Sequence, residues 1–226
     1  MEHNAKLVLK TDQFLILDDF CPPELLQEMW RVIRVEGYAA APVVGHLSAN
    51  WKIDGQLAYS SQAAIHSEVD KNSWASIIGD YFKFVADSYP NLVGKGWSDI
   101  RIHAQVYGRG TRIKLHFDSH SLGSFTYYPH PEWSPSWGGD LFVPIGVPLY
   151  KDLPIKQPKG IGREWDDVFL KNGLGYSISP KPNRCVLVAP GVSHSVSRVD
   201  PDCGDAMRFS VVGFLITEED KKREKE

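Results

Sequence analysis

The feature that most constrains this chain is a change of pattern near Trp97. From that point, short segments with β-branched or aromatic residues follow one another, and turn residues such as Gly138-Gly139 and Pro190-Gly191 separate them. The segments span residues 100–107, 112–118, 122–128, 140–145, 184–189, 194–199 and 207–216. This spacing indicates a sandwich or barrel rather than alternating strands and helices. We therefore expect a mainly β fold with flanking helices.

The first 96 residues have a different character. Residues 7–17 predict a β pair around Thr11-Asp12, and Pro22-Pro23 opens a helix, because proline is tolerated in a first turn. A second helix is expected over 73–86, where apolar residues recur at helical spacing. We interpret 1–226 as a single domain, with helical support over about 1–96, a β core over about 97–217 and a charged tail over 218–226.

Composition excludes several classes of protein. A chain of 226 residues with 42% hydrophobic and 23% charged residues can bury one sizeable core. A net charge of −3 and a pI near 6.2 give no basic footprint for nucleic acid, and no apolar run is long enough for a membrane span. The amino terminus lacks a secretory apolar core, and three scattered cysteines make no disulfide framework. We expect a cytoplasmic location.

Residues 146–182 interrupt the β pattern with five prolines and five glycines. A loop of this length inside a compact domain is usually functional or mobile. We interpret it as a candidate lid over the site, because closing lids shield reactive intermediates.

Two histidines and one aspartate form the candidate metal site. His116-Phe117-Asp118 can supply two ligands from one strand, since residues i and i+2 point to the same side. Alone this motif is weak, and His120 could compete with it. His194 follows the turn at Pro190-Gly191 and would complete the two-histidine, one-carboxylate set of non-haem Fe(II) oxygenases.

Arg208 and Ser210 form the second candidate element, because they share one face of the last predicted strand. A guanidinium grips a carboxylate through two parallel hydrogen bonds, and a nearby hydroxyl can add a third. Binding the distal carboxylate of 2-oxoglutarate requires such a set. A surface ion pair is the alternative role for Arg208, and three further cations compete with it: Lys181, Arg184 and Arg198.

Several motifs in a fixed order resemble the 2-oxoglutarate/Fe(II) oxygenase superfamily, in particular its prolyl-4-hydroxylase-like branch. The resemblance runs from about residue 100 to residue 214. It rests on Tyr107-Gly108, His116-Phe117-Asp118, the stretch YYPHPEWSPSWGGDL over 127–141, His194 and Arg208-Phe209-Ser210. Two departures are Pro129-His130, where the family commonly has leucine–asparagine, and Arg208, where animal-type prolyl hydroxylases often have lysine.

The resemblance implies a double-stranded β-helix (jelly-roll) core that holds Fe(II) through His116, Asp118 and His194. It implies 2-oxoglutarate and O2 as co-substrates, with Tyr107 and Ser210 joining Arg208 at the co-substrate carboxylate, and it leaves ascorbate open as a reductant. The reaction expected is hydroxylation of an unactivated C–H bond in a small molecule or a peptidyl side chain, with release of succinate and CO2. Desaturation and cyclisation remain open, as does the oligomeric state.

Substrate recognition is assigned to the strand face that carries Arg101, His103 and Gln105. These residues are two positions apart and share that face with Tyr107. Tyr127 and Trp137 are further candidates, and a solvated strand face is the alternative for the first two. A non-catalytic cupin-like metal-binding or sensor protein is the competing function. A zinc hydrolase could also use two histidines and a carboxylate, but the HExxH helical motif is absent.

Overall fold

A computed structural model describes residues 5–35, 38–40, 51–53, 58–118, 121–147, 149 and 173–223. The strands are β1 (Lys6–Lys10), β2 (Phe14–Asp18), β3 (Tyr38–Ala40), β4 (Trp51–Ile53), β5 (Ala58–Ser61), β6 (Ala64–Ile65), β7 (Asp99–Tyr107), β8 (Thr111–His116), β9 (Ser124–Tyr127), β10 (Leu141–Pro144), β11 (Gly175–Ile178), β12 (Cys185–Val188), β13 (His194–Val196) and β14 (Arg208–Ile216). The α-helices are α1 (Pro23–Ile33), α2 (Trp74–Ser88) and α3 (Glu218–Arg223).

These strands form two antiparallel sheets. The major sheet has nine strands in the order β1-β2-β12-β9-β14-β7-β5-β3, with β6 also paired to β7. The minor sheet has five strands in the order β11-β10-β13-β8-β4. Strands distant in sequence alternate within both sheets, as the jelly-roll connection requires. The predicted mainly β fold with flanking helices is therefore confirmed.

Two hydrophobic cores divide the molecule into layers. The first core lies between the helices and the outer face of the major sheet, where Phe20, Phe82 and Phe125 pack together. The second core lies between the two sheets and includes Tyr107 and Tyr128. Because residues alternate between faces along a strand, β2, β7 and β12 contribute to both cores. The space between the sheets is where polar side chains can meet.

The two predicted helices are present and follow their capping signals. Pro22 precedes α1, and the Ser73 hydroxyl accepts a hydrogen bond from the Ser76 backbone N–H at the start of α2. The helix α2 can approach the sheet because residue 213 is a glycine: a Cβ there would lie 2.6 Å from the Phe82 ring. The β pair predicted over 7–17 is the hairpin of β1 and β2.

Three details differ from the sequence-based expectations. The strand β8 ends at His116, so Asp118 lies two residues beyond it rather than on it. Strand β11 occupies part of the predicted loop 146–182, and most of the rest of that loop lies outside the described residues, as does His120. In the predicted tail, residues 218–223 form the helix α3, whose Lys221 donates to Asp99. Among the described helices, none combines the length and the apolarity needed to cross a membrane.

Candidate active site

The minor sheet brings together the three candidate metal ligands. Strands β8 and β13 are neighbours, and their register places His194 opposite His116. The carboxylate of Asp118 lies near both rings, 3.9 Å from His116 Nε2 and 3.6 Å from His194 Nε2. One ligand atom from each residue lies within 4.8 Å of the other two. Three side chains separated by up to 78 positions in sequence therefore converge on one point.

The hydrogen bonds behind the imidazoles suit metal binding. The Nδ1 atom of His116 lies 2.8 Å from the carbonyl oxygen of Lys114, and Nδ1 of His194 lies 3.1 Å from that of Val192. A carbonyl can only accept, so each ring carries its proton on Nδ1 and presents the Nε2 lone pair to the common point. The donor set is two neutral imidazoles and a carboxylate, which matches a non-haem Fe(II) site.

Burial and neighbouring charges keep His116 and Asp118 in their metal-binding protonation states. Burial, together with the neighbouring His194, lowers the pKa of His116 to about 4. Burial alone would raise the pKa of Asp118, but the two imidazoles and a hydrogen bond from Ser124 outweigh it and hold that pKa below its usual range. At neutral pH the aspartate is ionised and His116 is neutral, as ligands must be.

Arg208 is a buried cation on the opposite, major sheet. Its side chain is only 1% exposed, and it donates from Nε to the Gly139 carbonyl at 2.7 Å. Its terminal nitrogens donate to two hydroxyls, those of Ser210 at 3.4 Å and Tyr128 at 3.2 Å. Within the described part of the chain, no carboxylate lies at ion-pair distance from this guanidinium. A buried charge without a counter-ion is costly, so an external anion would satisfy it.

The double glycine of the sequence makes room for this arginine. Gly139 has φ +73°, and a Cβ there would lie 2.6 Å from Arg208 Cδ. Gly138 has φ +64°, and a Cβ there would lie 2.3 Å from the Arg198 carbonyl oxygen. Both glycines combine a backbone conformation unfavourable for other residues with a close approach. They therefore position the carbonyl that holds Arg208 Nε.

The two tyrosines beside Arg208 have different hydrogen-bonding states. The guanidinium carbon lies 5.0 Å from the centroid of each ring. The Tyr107 hydroxyl donates to the Gln105 side-chain oxygen, so its hydrogen is already committed. The Tyr128 hydroxyl accepts from Arg208, and no described residue takes its hydrogen. Tyr128, which the sequence reasoning did not select, is therefore the better donor to an anion at Arg208.

The face of β7 that was expected to recognise substrate does point between the sheets. Gln105 is bonded to both Tyr107 and His103, and the His103 ring stacks on Phe214 with centroids 5.7 Å apart. The Arg101 guanidinium lies 4.9 Å from the same ring. The charge of Arg101 lowers the pKa of His103, and the charge of Asp118 raises it. Arg101, His103 and Gln105 thus lie on the face of β7 that carries Tyr107, and Asp118 is close enough to act electrostatically on His103.

Two other predicted residues lie elsewhere. Tyr127 faces the first core, on the far side of the major sheet, and its hydroxyl donates to Asn183 at 3.1 Å. Trp137 packs edge-on against Trp133, whose indole N–H donates to the Gly138 carbonyl. These contacts support the fold and the double glycine rather than line the cavity. Tyr127 and Tyr128 are adjacent, and only the strand register decides which of them faces inward.

Comparisons with known proteins agree with this arrangement. The model of the 2OG-Fe(II) oxygenase superfamily matches residues 102–216, which is half of the chain and contains all three candidate metal ligands. No curated protein matches the sequence.

Solved structures share the fold at low sequence identity. A prolyl-4-hydroxylase from Pseudomonas putida matches with a TM-score of 0.60 and 16% identity, covering 91% of this chain and 93% of its own. A prolyl hydroxylase from Trichoplax adhaerens, in complex with a hypoxia-inducible-factor peptide, matches at 0.59 and 16%, covering 94% and 87%. HygX from Streptomyces hygroscopicus, with nickel and 2-oxoglutarate, matches at 0.55 and 11%, covering 93% and 89%. The chain therefore belongs to the 2OG-Fe(II) oxygenase superfamily, whose members use Fe(II), 2-oxoglutarate and O2.

Proposed function

We propose that the protein uses O2 to hydroxylate an unactivated C–H bond of a small molecule or a peptidyl side chain, with conversion of 2-oxoglutarate to succinate and CO2. The observation that carries this proposal is the buried guanidinium of Arg208, which lacks a carboxylate among the described residues and lies beside Tyr107 and Tyr128 of the core between the sheets. A metal-binding protein without turnover would have no use for a second, buried carboxylate receptor. The cupin-like alternative is therefore disfavoured.

Each residue then has a defined role. His116, Asp118 and His194 hold Fe(II), which supplies the oxidation chemistry when bound. Arg208 pairs with the distal carboxylate of 2-oxoglutarate, and the hydroxyls of Tyr128 and Ser210 donate their remaining hydrogens to it. The ring of Tyr107 forms one wall beside the guanidinium. The chain itself provides binding, orientation and exclusion of water between the sheets.

The substrate class is supported less directly. The Trichoplax relative was solved with a peptide, whereas HygX was also solved with hygromycin B, a small molecule. Both kinds of substrate occur on this fold, so we propose either for this chain. The acidic pI of about 6.2 gives no basic surface for nucleic acid.

An anaerobic titration tests the core of the proposal. Fe(II) and then 2-oxoglutarate are added to the protein, and the weak visible absorption of the chelate is recorded. Succinate is then measured in air against a panel of amino acids, peptides and small molecules. We expect the absorption band and slow succinate release in the native protein, and neither in Asp118→Ala. A native protein that gives no band and no succinate with any compound would contradict the proposal.

A further inference from the structure

We infer that His103 is a positioning residue for the co-substrate: its Nδ1–H donates one hydrogen bond to the keto-acid carboxylate of 2-oxoglutarate. The inference rests on the proposed function and adds a residue at the end of the molecule opposite to Arg208. Nothing in the family match assigns this histidine a role. Three independent observations support it.

The first observation is a hydrogen-bonded chain that fixes the tautomer of His103. The Tyr107 hydroxyl donates to the side-chain oxygen of Gln105. This orients the Gln105 amide, whose Nε2 then donates to Nε2 of His103 at 3.0 Å. Since that imidazole nitrogen accepts, a neutral His103 must carry its proton on Nδ1. The chain thus turns His103 into a donor of known direction.

The second observation is that this donor has no partner. The Nδ1 atom of His103 is buried, and no described residue accepts a hydrogen bond from it. Burial lowers the pKa of the ring to about 4, so it is neutral at physiological pH. A buried N–H without an acceptor costs free energy comparable to a lost hydrogen bond. Such a group inside a binding cavity points to an acceptor on a ligand.

The third observation is the spacing of residue pairs across the sheet. A row is one residue of β7, on the face that carries Tyr107, and the residue of β14 opposite to it. Strands β7 and β14 pair Ser210 with Gln105 and, one row further, Val212 with His103. Arg208 reaches toward the first of these rows, because its guanidinium donates to Ser210. Successive rows are two residues, or about 6.6 Å, apart along a strand. The four C–C bonds of 2-oxoglutarate span at most about 6 Å, so a molecule held at the Ser210 row ends near the His103 row.

The charge of the metal site agrees with this placement. Asp118 acts electrostatically on the His103 ring, and it also acts on Tyr107. The face of β7 that carries both side chains therefore lies near the triad.

Binding measurements on matched ligands and variants test the inference. Ni(II) replaces Fe(II) so that no turnover occurs, and dissociation constants are measured for 2-oxoglutarate and for succinate, which lacks the keto-acid carboxylate. We expect His103→Leu to weaken 2-oxoglutarate about 10-fold to 100-fold, as for a lost hydrogen bond to a charged group. Succinate should bind within about twofold of the native value. His103→Asn retains an N–H near Nδ1 and should recover most of the lost affinity.

The outcomes separate this inference from the proposed function. If Arg208→Met weakens both ligands but His103→Leu weakens neither, the co-substrate site stands and the role of His103 is overturned. If Arg208→Met weakens neither ligand, the proposed function fails. Equal losses for both ligands in His103→Leu would also overturn the inference, since they indicate a general disturbance of the cavity.

A second measurement needs neither metal nor ligand. Long-range proton–nitrogen NMR spectra of the metal-free protein report which imidazole nitrogen of His103 carries the proton. We expect the Nδ1–H tautomer in the native protein and a mixture in Gln105→Leu, which removes the amide that fixes it. An Nε2–H tautomer in the native protein would overturn the inference, even if binding changes in the variants.

Discussion

Arg184 and Arg208 are two enclosed arginines with opposite surroundings. Arg184 binds the Asp18 carboxylate through two nitrogens, at 2.7 and 3.1 Å, and Lys181 adds a third contact at 2.6 Å. Arg208 is even more buried, but among the described residues its hydrogen bonds reach only a carbonyl and two hydroxyls. The first arginine has its anion within the chain and is structural. The second can still pair with a carboxylate of a ligand.

Replacing each arginine by methionine tests this difference most directly. We expect Arg208→Met to weaken 2-oxoglutarate binding by about 2–4 kcal/mol, because a charge-assisted buried pair is lost. Its stability without ligand should change by less than about 1 kcal/mol, since no carboxylate among the described residues pairs with this cation and its hydrogen bonds go to one carbonyl and two hydroxyls. Calorimetry gives the affinity and denaturant unfolding gives the stability.

Arg184→Met should show the reverse pattern. It leaves Asp18 with Lys181 alone, and we expect a stability loss of about 2–3 kcal/mol, below the value for a fully broken buried pair. Affinity for 2-oxoglutarate should remain native. Equal effects of the two substitutions on affinity would remove the distinction between a structural and a receptor arginine.

A smaller effect is expected when the space for Arg208 is reduced. Gly139→Ala places a methyl group where the Arg208 side chain passes and forces a positive φ on a non-glycine residue. We expect affinity for 2-oxoglutarate to fall by about 1–3 kcal/mol, the usual cost of overpacking. Gly204→Ala is the matched control for backbone strain, since its φ is also positive but no atom lies within 4 Å of its Cβ position. Similar affinities in the two variants would contradict the steric account.

The tyrosines beside Arg208 allow a finer test. Tyr128→Phe removes the hydroxyl whose hydrogen is available, and we expect 2-oxoglutarate affinity to fall by about 1–2 kcal/mol. Tyr107→Phe removes a hydroxyl that already donates to Gln105, so its direct effect on the distal carboxylate should be smaller. Titration calorimetry at one salt concentration compares them. A larger loss in Tyr107→Phe would restore the role that the resemblance implied for that residue.

Acid should have the smallest effect on the binding site, because it acts on stability through the ion pair of Asp18. Burial alone would raise the pKa of Asp18, but hydrogen bonds from Arg184 and Lys181 outweigh it and lower that pKa in the folded protein. A depressed folded pKa contributes stability that is present above the unfolded value, about 3.9, and is lost as pH falls through the folded value. We expect the native protein to lose stability below pH 4 more steeply than Asp18→Asn does. Parallel unfolding curves for the two proteins would argue against this ion pair as a source of stability.

Much of the fold was predictable because its signals are local. Proline at a first turn, helical spacing in 73–86 and short β segments after Trp97 each depend on neighbouring residues. Strands β3 to β6 and β11 were missed because they form through pairing with distant strands, and Ala58–Ser61 has no β-branched residue to indicate it. The triad and Arg208 were predicted from motifs, and in the structure the three triad residues converge and Arg208 is buried.

The rest of the site depends on register and on hydrogen-bond direction. A shift of the strand register by one residue exchanges the faces on which Tyr127 and Tyr128 lie. The sequence does not specify that register. The commitment of the Tyr107 hydrogen to Gln105 follows from the two side chains facing the same way on β7. Only the three-dimensional structure reveals that His103 Nδ1 has no acceptor among the described residues.

The candidate metal ligands belong to one sheet and the carboxylate receptor to the other. His116 and His194 lie on β8 and β13 of the minor sheet, whereas Arg208 lies on β14 of the major sheet. A molecule that bridges them would therefore fasten two layers that are otherwise joined by side-chain packing and loops. Binding of 2-oxoglutarate should slow backbone amide hydrogen exchange in both sheets at once. Its conversion to succinate, which is shorter, should restore the faster exchange. The protection of both sheets from exchange would then rise and fall with binding and release of the co-substrate.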